Sequence, residues 1–115
     1  MYVDGFILAV PTANKESYAK FAAAAGEIFR ELGALSVMEA WGDDVPEGKV
    51  NSMHSAVMRK EDETVVFSWT TWPDKETRDK GWAAAMADPR MEGIKDMPFD
   101  GSRMIYGGFI PIVEM

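Results

Sequence analysis

His54 is the single histidine of the chain, and an imidazole is the side chain best able to exchange protons near neutral pH. It falls between Asp44 and Glu63, a connection far longer than the usual ~4–6 residues, and long connections in compact domains often serve as lids or binding loops. There it would be a general base at a cavity mouth. Nothing flanking it in sequence orients the ring, however, and an ordinary surface histidine is the commoner role. Asp4 and Glu39 are the other two candidates for acid–base work, because each sits inside an otherwise apolar segment. A lone carboxylate in such surroundings must pair, take up a proton or reach water. Paired with Arg103 or Lys49 it is structural; left in an apolar pocket with a raised pKa it is a general acid or base.

Arg103 could clamp an anionic ligand, or form a salt bridge with Asp100 or another acid. Trp41, Trp69, Trp72, Trp82 and Tyr106 supply flat surfaces suited to an aromatic ligand, although most aromatics at such spacings build the core. Of these, Trp41, Trp69 and Tyr106, with Arg103, are the candidate substrate contacts. Asp43, Asp44 and Glu47 offer oxygen ligands, but their spacing does not match a calcium loop, and no metal site is expected. With no cysteine and one histidine, thiolate sites, iron–sulfur clusters and multi-histidine centres within one chain are excluded. No phosphate-binding loop, dinucleotide fingerprint, nucleophile elbow or HExxH motif is present, so no cofactor is expected. Met53, Met58, Met91 and Met97 could line an adaptable groove, but they more commonly fill gaps.

The elements that must position these residues alternate in type. Tyr2 to Val10 reads as a strand ended by Pro11, and Asn14 as the cap of a helix. That helix carries Tyr18, Phe21, Ala22, Ala25, Ile28, Phe29 and Leu32 as one apolar stripe, and Gly33 suits the left-handed position that stops it. Ala34 to Asp43 and Thr64 to Trp72 read as strands. Asp74 then caps a helix running to about Ala87, and Asp88-Pro89 starts a short extra turn. Arg103 to Val113 reads as the last strand, interrupted by Gly107-Gly108. The order βαββαβ, with right-handed crossovers, predicts a ferredoxin-like α+β fold: a four-stranded antiparallel sheet with two helices on one face.

The 115 residues suit a single domain, 1–115, with 47% hydrophobic and 27% charged residues. A formal charge of -7 repels phosphate backbones, so no nucleic-acid partner is expected. The start of the chain lacks the positive region of a secretory signal, and no window approaches the ~20 apolar residues of a membrane span. A cytoplasmic protein without membrane contact is the expectation. The strands do not alternate cleanly between apolar and polar. The last carries Ile105 and Phe109 at one parity against Met104, Ile110 and Ile112 at the other, and the third carries Val65, Phe67 and Trp69 against Val66 and Trp72. Two helices cover only one face, so the other is expected to pair with a second copy about a two-fold axis, or else to lie under the 44–63 connection. Gly5 and Gly107-Gly108 fall on neighbouring strands, where missing side chains open a cavity, a bulge or a close contact between copies.

The stretches YVDGF (2–6), DVPEGK (44–49), VVFSW (65–69), DPRM (88–91) and MPFDGSRMIYGGF (97–109) resemble the YbaA-like bacterial family of unknown function, in the same order over nearly the whole chain. The resemblance implies membership of the dimeric α+β barrel superfamily, which includes cofactor-free antibiotic-biosynthesis monooxygenases and EthD-like proteins. It supports a homodimer and leaves the chemistry open, since fold does not fix function, and it supplies no catalytic residues to carry over. Two functions follow as expectations. One is binding or transformation of a small apolar or aromatic molecule without metal or organic cofactor, by proton transfer or cofactor-independent oxidation. The other is a non-catalytic homodimeric module that binds a ligand or a protein.

Overall fold

The structure is a computed structural model describing residues 1–93 and 96–115. Its strands are β1 (Tyr2–Pro11), β2 (Ser36–Trp41), β3 (Glu63–Trp72) and β4 (Ile105–Phe109), and its helices α1 (Lys15–Glu31), α2 (Met53–Ala56), α3 (Lys75–Ala87) and α4 (Pro89–Glu92). The strands form one sheet in the order β2-β3-β1-β4, each neighbouring pair antiparallel. This is an α+β fold with a four-stranded antiparallel sheet.

Because side chains alternate across a strand, register fixes what shares a face. Tyr2, Asp4, Phe6, Leu8 and Val10 of β1 stand beside Trp72, Thr70, Ser68, Val66 and Thr64 of β3. α1 and α3 both pack on this face. Ile28 and Phe29 of α1 and Ala85 of α3 join Tyr2 and Trp72, while Tyr18 and Ala22 of α1 join Leu8, Val10 and Val66. Trp72 is fully buried because α3 presents Gly81 to its ring, where a Cβ would come within 2.6 Å. Gly33 ends α1 with φ +115, a conformation that favours glycine.

Three local expectations change. Asn14 makes no cap: a 3-10 turn at Thr12–Asn14 runs straight into α1, so Asn14 lacks the extended backbone of a capping residue. Its side-chain nitrogen instead donates to the Pro98 carbonyl at 3.0 Å. The last strand is shorter than Arg103–Val113. Arg103 closes a second 3-10 turn, Gly101–Arg103, and β4 stops at Phe109, opposite Val3. Beyond that point β1 has almost run out, and Pro111 has no N–H to give a ladder. The second strand likewise contracts to Ser36–Trp41. By contrast, Asp74 caps α3 by accepting from the Thr77 N–H, and Asp88 caps α4 with Pro89 in its first turn.

The opposite face presents Val3, Gly5, Ile7 and Ala9, then Val65, Phe67, Trp69 and Thr71, with Met38, Ile105 and Phe109 on the flanking strands. The 44–63 connection covers one corner of it: Val57, just after α2, is fully buried against Ala9 and Val65. The remainder is open, with Phe67 42% and Phe109 59% exposed. Among the described residues no helix is long and apolar enough to cross a membrane.

Candidate functional site

Small residues meet between α1 and the sheet. α1 turns Ala22, Ala25 and Gly26 inward, while β3 contributes Ser68 and Thr70 rather than large apolar side chains. The result is a cavity of about 420 Å³. One aromatic group in its wall is Phe6, Phe29 and Trp82, with the Phe29 and Trp82 rings 4.7 Å apart. Another is Tyr18, Phe21 and Phe99, in which Phe99 meets both partners edge-on. Such a hollow, apolar with a few convergent polar groups, has the character of a small-molecule site.

Its polar corner centres on Glu39 of β2. Oε1 accepts from the Tyr18 hydroxyl at 2.6 Å and Oε2 from the Ser68 hydroxyl at 2.9 Å. The backbone register places Glu39 directly opposite Ser68. Glu39 itself is exposed at the mouth, whereas Tyr18 and Ser68 are buried. Burial, and then the bond to Glu39, push the Tyr18 hydroxyl well above its ordinary pKa, so it remains a protonated donor. Two hydrogen bonds leave carboxylate lone pairs unused, since an ionised carboxylate offers about four acceptor sites.

Asp4 is in a different condition. It is buried and accepts from Trp72 Nε1 at 3.0 Å, Trp82 Nε1 at 3.0 Å, Arg78 Nη2 at 2.7 Å and Arg78 Nε at 3.1 Å to both oxygens. Its cation is therefore Arg78, not Arg103 or Lys49, and the bonds to Asp4 hold the Arg78 pKa above its ordinary value. Arg103 instead forks onto Glu63, Nη1 to Oε1 at 2.7 Å and Nη2 to Oε2 at 2.6 Å, and also binds Asp100 and the Met58 carbonyl. It ties the 44–63 connection to β3 and the turn before β4. The Arg103 bonds hold the Glu63 carboxyl down at about 2.

The chain matches the family described as "Protein of unknown function (DUF1428)" over residues 1–101. It belongs to that family. It is 51% identical over 114 residues, 98% of this chain and 97% of the relative, to "Uncharacterized protein YbaA" of Escherichia coli strain K12. The likeness to "Uncharacterized protein YbaA" of Shigella flexneri is of the same extent. The DUF1428 description and these names carry no activity, so the chemistry rests on the side chains.

In this DUF1428 chain the other candidate residues are dispersed. His54 lies on α2 in a separate polar hollow of the 44–63 connection, with Lys49, Ser52 and Arg59, and does not line the helix–sheet cavity. Its Nδ1 is 3.1 Å from Glu47 Oε1 without hydrogen-bond alignment. Trp41 packs beside the Leu8–Val66 cluster with the Lys15 ammonium 5.6 Å from its ring centroid. Trp69 stands on the open face against Phe67. Tyr106 is largely exposed and stacks on Phe6 at 6.2 Å. Of the residues singled out from sequence as candidate contacts, the cavity brings in Glu39, Trp82, Met91 and Met97. The roles of Tyr18, Ser68 and Arg78 were missed. A signal for Ser68 existed: along Thr64, Val66, Ser68, Thr70 and Trp72, two small polar residues interrupt the parity that should meet the helices. Among the described residues no group of three or more His, Cys, Asp or Glu side chains is placed to hold a metal ion.

Proposed function

We propose that the cavity between α1, α3 and the sheet binds a small, neutral apolar or aromatic molecule that carries one hydroxyl or amino group. The observation that carries this reading is the Glu39–Tyr18–Ser68 corner at the mouth of a mostly apolar hollow, whose wall also includes Thr70 and Glu92. The apolar wall contributes affinity by excluding water, and Glu39 accepts the ligand's single donor, fixing its orientation. Anionic ligands are disfavoured by the Glu39 charge. The reading invokes neither a metal ion nor an organic cofactor. It makes the protein a binding module, and any proton transfer would begin at Glu39.

The probe for this is N-phenyl-1-naphthylamine, a neutral aromatic amine whose fluorescence rises when it leaves water. It should brighten with the wild-type chain and not with Ala25→Trp, which fills the hollow, provided circular dichroism shows the variant folded. Equal brightening with both proteins would sink the cavity as the site.

The strand order β2-β3-β1-β4 supports reading the sheet as ferredoxin-like. We further propose that two copies pair through the open face as a dimeric α+β barrel. That face is apolar over Ile7, Phe67, Trp69, Ile105 and Phe109, and an apolar patch of this kind is uncommon on a soluble monomer. Sedimentation equilibrium should return twice the 12.8 kDa chain mass at micromolar concentration.

A further inference from the structure

We infer that the last six residues, Ile110–Met115, form an arm that crosses onto the open sheet face of a second copy; this rests on the sheet-to-sheet pairing just proposed. The segment follows β4 without regular structure, and its apolar side chains are largely uncovered: Ile112 is 95% exposed and Val113 71%. Its base is continuous with the open face, because Ile110 and Pro111 line the same hollow as Phe67, Trp69 and Phe109. The chain's own sheet does not take up the rest. β4 pairs only as far as Val3↔Phe109, and Pro111 lacks the N–H that would prolong the ladder.

The pattern of the arm identifies its occupant. In an extended segment Ile110, Ile112 and Glu114 point one way and Pro111 and Val113 the other, so both sides are apolar as far as Val113. A strand with one wet side would alternate; one apolar on both sides is covered on both. Length agrees as well. The four apolar residues Ile110–Val113, extended, reach about 13 Å, and stacked sheets lie ~10 Å apart. Each arm can therefore bridge the gap between the paired sheets and lie along the rim of the facing one, and a two-fold axis makes the exchange reciprocal.

The chain contains no cysteine, so Ile112→Cys creates a unique attachment point for a benzophenone photocrosslinker. Photolysis of an equal mixture of ¹⁴N- and ¹⁵N-labelled chains should give crosslinks between differently labelled copies, mapping to open-face residues such as Met38, Phe67 or Trp69. In parallel, deletion of residues 110–115 should raise the dimer dissociation constant about tenfold or more. The double variant Ile112→Lys, Val113→Lys should do the same if the shortened chain does not fold. Crosslinks confined within single chains overturn the arm. So does a dimer whose dissociation constant is unchanged by both variants, which leaves the pairing intact. A full-length chain that stays monomeric at every concentration overturns the pairing itself, and the arm with it.

Discussion

On adjacent rows of the helix-covered face, Asp4–Thr70–Val37 and Phe6–Ser68–Glu39, two carboxylates meet opposite conditions. Asp4 receives two indoles and a guanidinium, and its remaining neighbours are packed core. Glu39 receives two hydroxyls and faces the mouth of a cavity. Burying a charge is costly unless every lone pair finds a donor. Asp4 meets that condition within its own chain and has no acceptor capacity left for a ligand. Glu39 meets it only in part, and water or a ligand must do the rest. The contrast separates a carboxylate that holds the fold from one that is available to a visitor. Asp4 still acts on the cavity through Trp82: the indole it anchors is part of the cavity wall, so Asp4 is a positioning residue.

The largest effect is expected where the contrast is sharpest. Asp4→Asn keeps the shape but removes the charge opposite Arg78 and turns an amide donor towards groups that are themselves donors. Breaking one partner of a buried ion pair costs about 3–5 kcal/mol, a large share of the ~5–15 kcal/mol stability of a small domain. Urea denaturation should show the loss as a lower midpoint with an unchanged slope. A midpoint within experimental error of wild type would mean that Asp4 is no more committed than Glu39.

Glu63 extends the comparison as a second saturated carboxylate, and pH tests it. Its folded-state pKa is held at about 2 by the Arg103 fork, against an ordinary value of 4.5. A lowered folded-state pKa contributes stability that is fully present above the unfolded value and is lost as pH falls through the folded one. The thermal midpoint should therefore decline between about pH 4.5 and pH 2. Glu63→Gln should start lower at neutral pH and lose less across that window. Parallel declines for the two proteins would show that the acid sensitivity originates elsewhere, for example at Asp100, whose carboxyl is also held at about 2 by Ser102 and Arg103.

The fold was legible in the sequence to the extent that local rules control it. The apolar stripe of α1, the Asp74 and Asp88 caps and the Gly33 stop all act within a few residues of chain, and periodicity and capping chemistry reveal them. The end of the last strand was not legible, because β4 stops where its partner β1 runs out, and pairing depends on residues a hundred positions away. The same limit applied to the charges. Asp4 and Glu39 stood out as acids in apolar strands, but Arg78 looks like any charge on a polar first turn of a helix until α3 is laid across β1. Tyr18 belongs to the α1 stripe by spacing, and only the crossing of α1 over β2 brings its hydroxyl to Glu39. His54 stood out by residue type alone, and its surroundings are set by the 44–63 connection, where periodicity says nothing.

The smallest effect on stability should come from the available carboxylate, and there the informative quantity is binding. Glu39→Gln keeps an acceptor oxygen for the Tyr18 hydroxyl, its amide can donate to the Ser68 hydroxyl, which can turn to accept, and the residue is exposed, so its cost should stay below about 1 kcal/mol. Tyr18→Phe removes one of the two donors and should cost about 1 kcal/mol, leaving the carboxylate less firmly oriented. Affinity for N-phenyl-1-naphthylamine should respond in the opposite order. A hydrogen bond to a charged acceptor is worth more than one to an amide, so Glu39→Gln should weaken the probe by about tenfold, and Tyr18→Phe by less. Because Gln still accepts, the loss measures the charge rather than the contact. If instead Glu39→Gln costs as much stability as Asp4→Asn while the probe binds as before, both carboxylates are structural, and Glu39 is not the cavity's anchor.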